Sequence, residues 1–117
     1  MHIVDALQAG MTPVEAPEAA GVEIQWLLDE QAGAPHFAMR RFVIAPGGHT
    51  PFHVHDWEHE VYILDGAGLL VTEEKEHPLQ ADLAVLVPAG EKHQFRAAPG
   101  EELEFLCLVP NGPATER

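Results

Sequence analysis

The stretch Gly47-Gly48-His49-Thr50-Pro51-Phe52-His53-Val54-His55-Asp56-Trp57-Glu58-His59-Glu60 decides how the rest of the chain is read. Before it lies HFAMRRFVIA, residues 36–45, a β run that Pro46-Gly47-Gly48 brings to an end. Thr50 to His55 and His59 to Leu64 predict two further strands, the second closed by Asp65-Gly66. His53 and His55 stand two apart, so both imidazoles project from one strand face. His59 follows four residues after His55 and opens the paired strand. With those three pointing inward, Glu60 is the odd residue and points outward.

The rest of the chain reads in the same way. Val22-Glu23-Ile24-Gln25-Trp26-Leu27 alternates; Leu69 to Thr72, a short run ending near Leu79, and Leu83 to Val87 follow. His93 to Ala97 and Leu103 to Val109 complete the set. Ten Gly and ten Pro leave little room for helices, and the one helix-like stretch, Val14 to Ala20, is interrupted by Pro17. Eight or more short strands with frequent turns predict an all-β sandwich or barrel, and the lack of crossover helices excludes a parallel α/β sheet. The 117 residues suit one domain, with an irregular lead-in over 1–21, a barrel over 22–110 and a polar tail over 111–117.

Charge narrows the function classes. Nineteen acidic against six basic residues give a formal net charge of −13, a field that repels phosphate backbones and anionic lipid surfaces. Nucleic acid and membrane are therefore excluded as partners. The single Cys107 has no internal disulfide partner. The opening Met1-His2-Ile3-Val4-Asp5 lacks the basic and apolar segments of a signal peptide, and no apolar run is long enough to span a bilayer. A cytoplasmic location is expected.

Four of the eight histidines form a constellation. His93 is remote in sequence but sits three residues after Gly90 of the turn Pro88-Ala89-Gly90, and a barrel can bring it beside His53, His55 and His59. Imidazole is the commonest nitrogen ligand of first-row divalent metals. His2, His36, His49 and His77 have no such spacing and read as solvated.

The pattern resembles the cupin superfamily, small jelly-roll barrels that hold one metal. The first cupin motif is Gly, five residues, His-x-His, three or four residues, Glu, six residues, Gly. Gly47, His53-Val54-His55 and Gly66 match it, and the acidic position has two contenders. Glu60 fits the gap from His55 only; His59 fits both that gap and the six residues before Gly66. The second motif, Gly, five residues, Pro-x-Gly, two residues, His, three residues, Asn, is met at its centre by Pro88-Ala89-Gly90-Glu91-Lys92-His93, with Asp82 and Ala97 at its ends. Together with Phe37-Ala38-Met39-Arg40 and Phe105-Leu106-Cys107-Leu108-Val109-Pro110, residues 35–110 are similar to single-domain manganese cupins with a four-histidine site.

The resemblance implies a jelly-roll β-barrel and a divalent metal on His53, His55, His59 and His93, manganese first and iron next, with nickel, copper and zinc open. It places Phe105 and Cys107 across the barrel from the metal as pocket walls. Arg40 reads plainly as an exposed strand position; in the pocket it would hold an anionic substrate. Four neutral ligands leave the metal its full charge and, in an octahedral ion, two open positions where a substrate and O₂ can bind side by side. The expected function is a metal-dependent oxidoreductase of dioxygenase type acting on a small organic molecule. A non-catalytic metal- or ligand-binding module and a metal-dependent isomerase or lyase are the alternatives. A homodimer is also expected, with the alternating Val22 to Leu28 pairing across a two-fold.

Overall fold

Two long strands organise the molecule, each extended enough to pair with three or more neighbours along its length. The computed structural model describes residues 1–116, and Arg117, last residue of the expected tail, lies outside them. In chain order the strands are β1 (Thr12–Pro13), β2 (Ala20–Leu28), β3 (Phe37–His49), β4 (His59–Thr72), β5 (Glu76–Gln80), β6 (Ala84–Val87), β7 (His93–Ala97) and β8 (Leu103–Pro110). Single 3₁₀ turns at Glu30–Ala32 and Pro113–Thr115 are the helical segments among the described residues. No described helix is long and apolar enough to cross a membrane.

β3 pairs with β8 from Phe37 to Ile44 and reaches β7 at His49. β4 pairs with β8 over Glu60–Gly66 and with β7 over Gly68–Thr72. The circuit β3–β8–β4–β7 therefore closes on itself, and the fold is the expected all-β barrel. β2 flanks β3, while β6 and β5 flank the two halves of β4.

Alternation along the strands fills the interior. On β8, Leu103, Phe105, Cys107 and Val109 are buried, with half-exposed residues between them. His59, Val61 and Ile63 do the same on β4, and Ala38, Arg40 and Ile44 on β3. Phe105 stacks against Phe42 and Phe95 at centroid separations of 5.3 and 4.7 Å. Offset aromatic contacts of this kind stabilise beyond the area they bury.

Three local expectations are corrected. β3 does not end at Ala45 but continues through Pro46-Gly47-Gly48 to His49, because His49 still pairs with Ala20 and with Arg96. Residues 59–72 are one strand, not two: Asp65 and Gly66 stay paired with Glu104 and Leu103 in the β4–β8 ladder, just after a bulge at Leu64, and form no turn. Thr50 to His55 is a loop rather than a strand, with a β-bridge from His53 to His93. Within the lead-in, Thr12 and Pro13 pair with Ile24 and Glu23, and Val14 N–H donates to the Val22 carbonyl at 2.9 Å. That stretch of β2's outer edge, included in the expected two-fold pairing, is therefore occupied by the chain itself.

Candidate metal centre and pocket

The loop between β3 and β4 is tied down by backbone rather than by its own secondary structure. Thr50 N–H donates to the Phe95 carbonyl, and Thr50 Oγ1 accepts the Phe95 N–H, both at 2.9 Å. His53 and His93 exchange backbone hydrogen bonds of 3.0 and 2.9 Å. Gly90 N–H donates to the His55 carbonyl at 2.8 Å. That last bond needs Gly90 at φ +83, a left-handed conformation that lets the Pro88-Ala89-Gly90 turn aim its amide back at the loop. The two histidine-bearing segments, remote in sequence, are fastened together by these bonds.

His55, His59 and His93 converge, each offering one ring nitrogen within 4.8 Å of the others. His59 and His93 are buried, at 8% and 6% exposure. His93 Nδ1 lies 2.9 Å from the Glu91 carbonyl oxygen, which only accepts, so Nδ1 carries a proton and Nε2 is the ring nitrogen that this bond leaves free. His59 Nδ1 lies 3.2 Å from Cys107 Sγ, and its Nε2 is buried with no hydrogen-bond partner. A buried imidazole nitrogen left unpaired is costly unless something ligates it. Such a nitrogen together with two further imidazoles is a donor set that fits a divalent metal.

His53 stands at the rim. Its ring centroid is 6.0 Å from that of His55, and its Nε2 meets Glu18 Oε2 at 3.1 Å. The structure thus brings three of the four expected ligands together and holds the fourth beside them on a carboxylate of the lead-in. Glu60 is exposed on the outer barrel surface, facing a groove shared with Phe37 and Leu108.

Burial, first, and then the His93 and Arg40 charges lower the His59 pKa from 6.5 to about 3. His55 is lowered by burial, then by His93, His53 and Arg40. Both rings are therefore neutral and ready to ligate at neutral pH. The linkage has a definite sign. Below pH 6.5 the unfolded chain takes up a proton that folded His59 refuses, so stability present above that pH is lost on acidification towards 3. Metal-free protein unfolded with urea at about pH 7.5 and about pH 5 should lose roughly 2 kcal/mol to His59 between the two. His55 adds to that loss. Equal stability at both pH values would show that the rings protonate freely in the fold.

Around the histidines lies a cavity of about 280 Å³. Phe42, Phe95 and Phe105 supply its apolar wall, and Arg40, Thr50 and Cys107 its polar points. Arg40 is 9% exposed, so its pocket position holds and the exposed-strand reading does not. Its Nη2 donates to Cys107 Sγ at 3.1 Å, across the β3–β8 pair Arg40–Cys107. Burial pushes the Cys107 thiol up, with Arg40 opposing, so the sulfur sits between Arg40 and His59 as a neutral thiol. Trp57 stacks on His55 at 4.8 Å and 9°, fixing that ring in place. Val14 and Ala16 also line the cavity, and Glu18 reaches His53; no motif spacing signals these lead-in residues.

Residues 40–109 match the cupin domain family. The chain is a cupin. Over 92 residues this cupin is 32% identical to the oxalate-binding protein of Thermotoga maritima, covering 75% of this chain and 74% of that one. It is 37% identical over 71 residues to the 1-methylthio-D-xylulose 5-phosphate methylsulfurylase of Rhodospirillum rubrum, covering 61% of this chain. The cupin spans less than half of that relative, 46% of its length. Among solved structures it is similar to the polyketide cyclase RemF from Streptomyces resistomycificus, with a TM-score of 0.92 and 32% identity. That match covers 96% of this chain and 80% of the cyclase.

Proposed function

We propose that this cupin is a metal-dependent enzyme acting on a small organic molecule with chelating oxygens, at a centre formed by His53, His55, His59 and His93. The observation that carries the reading is the buried, unpartnered Nε2 of His59 in the midst of two further imidazoles. His53, held on Glu18 beside them, would be the fourth residue to hold the ion. When bound, a divalent ion supplies Lewis acidity, and four neutral imidazoles leave its charge undiminished. Manganese is the first assignment, iron the next, with nickel, copper and zinc open, since imidazole alone does not select among them.

The chain's own residues do the rest. Phe42, Phe95 and Phe105 keep water from the substrate and hold its apolar body. Cys107 and the Glu91 carbonyl orient His59 and His93. The likeness to the polyketide cyclase, across nearly the whole chain, supports carbonyl polarisation without net oxidation, the isomerase or lyase class. The all-histidine donor set, which would hold an ion able to take both a substrate and O₂, supports a second reading, a dioxygenase-type oxidoreductase.

One experiment separates them. Manganese-loaded protein is mixed with 2-oxobutanoate in D₂O under argon, and exchange of the C3 hydrogens is followed by NMR. Exchange about a hundredfold above the buffer rate is expected. Substrate loss that occurs only with O₂ present moves the assignment to the dioxygenase class. Metal uptake with neither activity leaves a metal-binding module without turnover.

A further inference from the structure

Arg40 and Arg41 are neighbours with opposite fates. Arg41 Nε meets Glu104 Oε1 at 2.6 Å, and its Nη1 reaches Gln25 Oε1. Arg40 turns inward, and no Asp or Glu pairs with it among the described residues. Its Nε is buried without a hydrogen-bond partner, and among the described residues its one donation goes to sulfur, a weak acceptor. The guanidinium is held between two rings, 5.0 Å from Phe42 and 5.5 Å from Trp26. Aromatic faces steady a cation in place but do not neutralise it.

The cavity that Arg40 lines holds four histidines and no acidic residue. Among the described residues the carboxylate at its edge is that of Glu18, on the exposed rim against His53. A chain with a net charge of −13 has thus kept an uncompensated cation inside its pocket. Buried charge persists where a partner completes it, and here the described residues supply none.

We propose that Arg40 is the anion-binding residue of the pocket, and that the substrate is an organic anion whose carboxylate meets the guanidinium while its apolar body lies on the phenylalanine wall. The fork of a guanidinium matches two carboxylate oxygens, and each charge-assisted bond is stronger than a neutral one. The apolar lining by Phe42, Phe95 and Phe105 selects a planar or ring-bearing body over a hydrophilic one. This rests on the same pocket as the proposed function but not on the metal.

The test uses two probes of one shape, benzoate and its neutral isostere benzamide, titrated calorimetrically into wild-type, Arg40→Met and Arg40→Lys proteins. Wild type should prefer benzoate by about tenfold or more, and Arg40→Met should lose that preference while binding benzamide as before. Arg40→Lys, which keeps the charge without the fork, should retain part of it. Because the wild-type preference is read without any variant, a poorly folded Arg40→Met protein does not decide the matter. The titrations are run on manganese-loaded and on chelator-stripped protein. A benzoate preference that disappears with the metal, or survives in Arg40→Met, overturns the assignment. A protein that takes up no metal yet shows an Arg40-dependent preference defeats the metal-enzyme reading and leaves the anion site standing.

Discussion

His59→Ala should purify with most of its metal gone, whereas Glu60→Gln should retain it. The two side chains are adjacent on β4 and face opposite ways. His59 is buried with Nε2 aimed at no protein partner, while Glu60 is exposed on the outer surface. If four ligands share the binding free energy of a structural metal site, each is worth roughly 3 kcal/mol, about a hundredfold in affinity. The Glu60 change alters no bond at the centre. Metal content by elemental analysis, with circular dichroism to show that both variants fold, gives the answer. His59→Gln serves as a second variant that keeps more of the buried volume. An empty Glu60→Gln protein beside a loaded His59→Ala protein would make the centre three histidines and one glutamate. The ion would then keep only part of its charge, and the argument for a strong Lewis acid would fail with it.

Gly66→Ala should unfold the barrel at a markedly lower temperature. Gly66 lies at φ +85 beside the bulge where β4 passes from β8 to β7, and a Cβ there would overlap the carbonyl oxygen of Glu102. That obstacle is backbone, so no rotamer change relieves it. Left-handed strain and the clash together should cost roughly 3 kcal/mol. For a domain of this size that is a fall in melting temperature of about 10 °C or more. Gly100→Ala is the control, since nothing lies within 4 Å of a Cβ there. A Gly66→Ala protein melting alongside that control would mean that the β4 crossing can shift to accommodate a side chain.

Much of this protein is legible in its residues alone. The run Leu103, Phe105, Cys107, Val109 alternates in the sequence and lies buried on β8 in the structure, because a strand's side-chain period is two whatever it pairs with. The same rule sets His59 and Glu60 on opposite faces, and the spacing from His55 to Gly66 points to His59. The Pro-x-Gly turn before His93 is visible too, since only a glycine takes the left-handed φ there at little cost.

What the tertiary structure decided is everything that depends on which strands meet. Local periodicity made Thr50 to His55 a strand; its amides and carbonyls instead find their partners on β7 and at Gly90, leaving a loop. Asp65-Gly66 carries the composition of a turn, yet β8 and β7 hold both sides of it in line, and it continues the strand just past a bulge at Leu64. Arg40 shows the limit most directly. Charge alone argued for solvent, but the β3–β8 register sets it opposite Cys107, whose sulfur also meets His59. Glu18 reaches His53 from a lead-in with no motif of its own. A sequence states which residues share a face of one segment; which faces confront each other across a barrel is settled only when register and closure bring distant segments together.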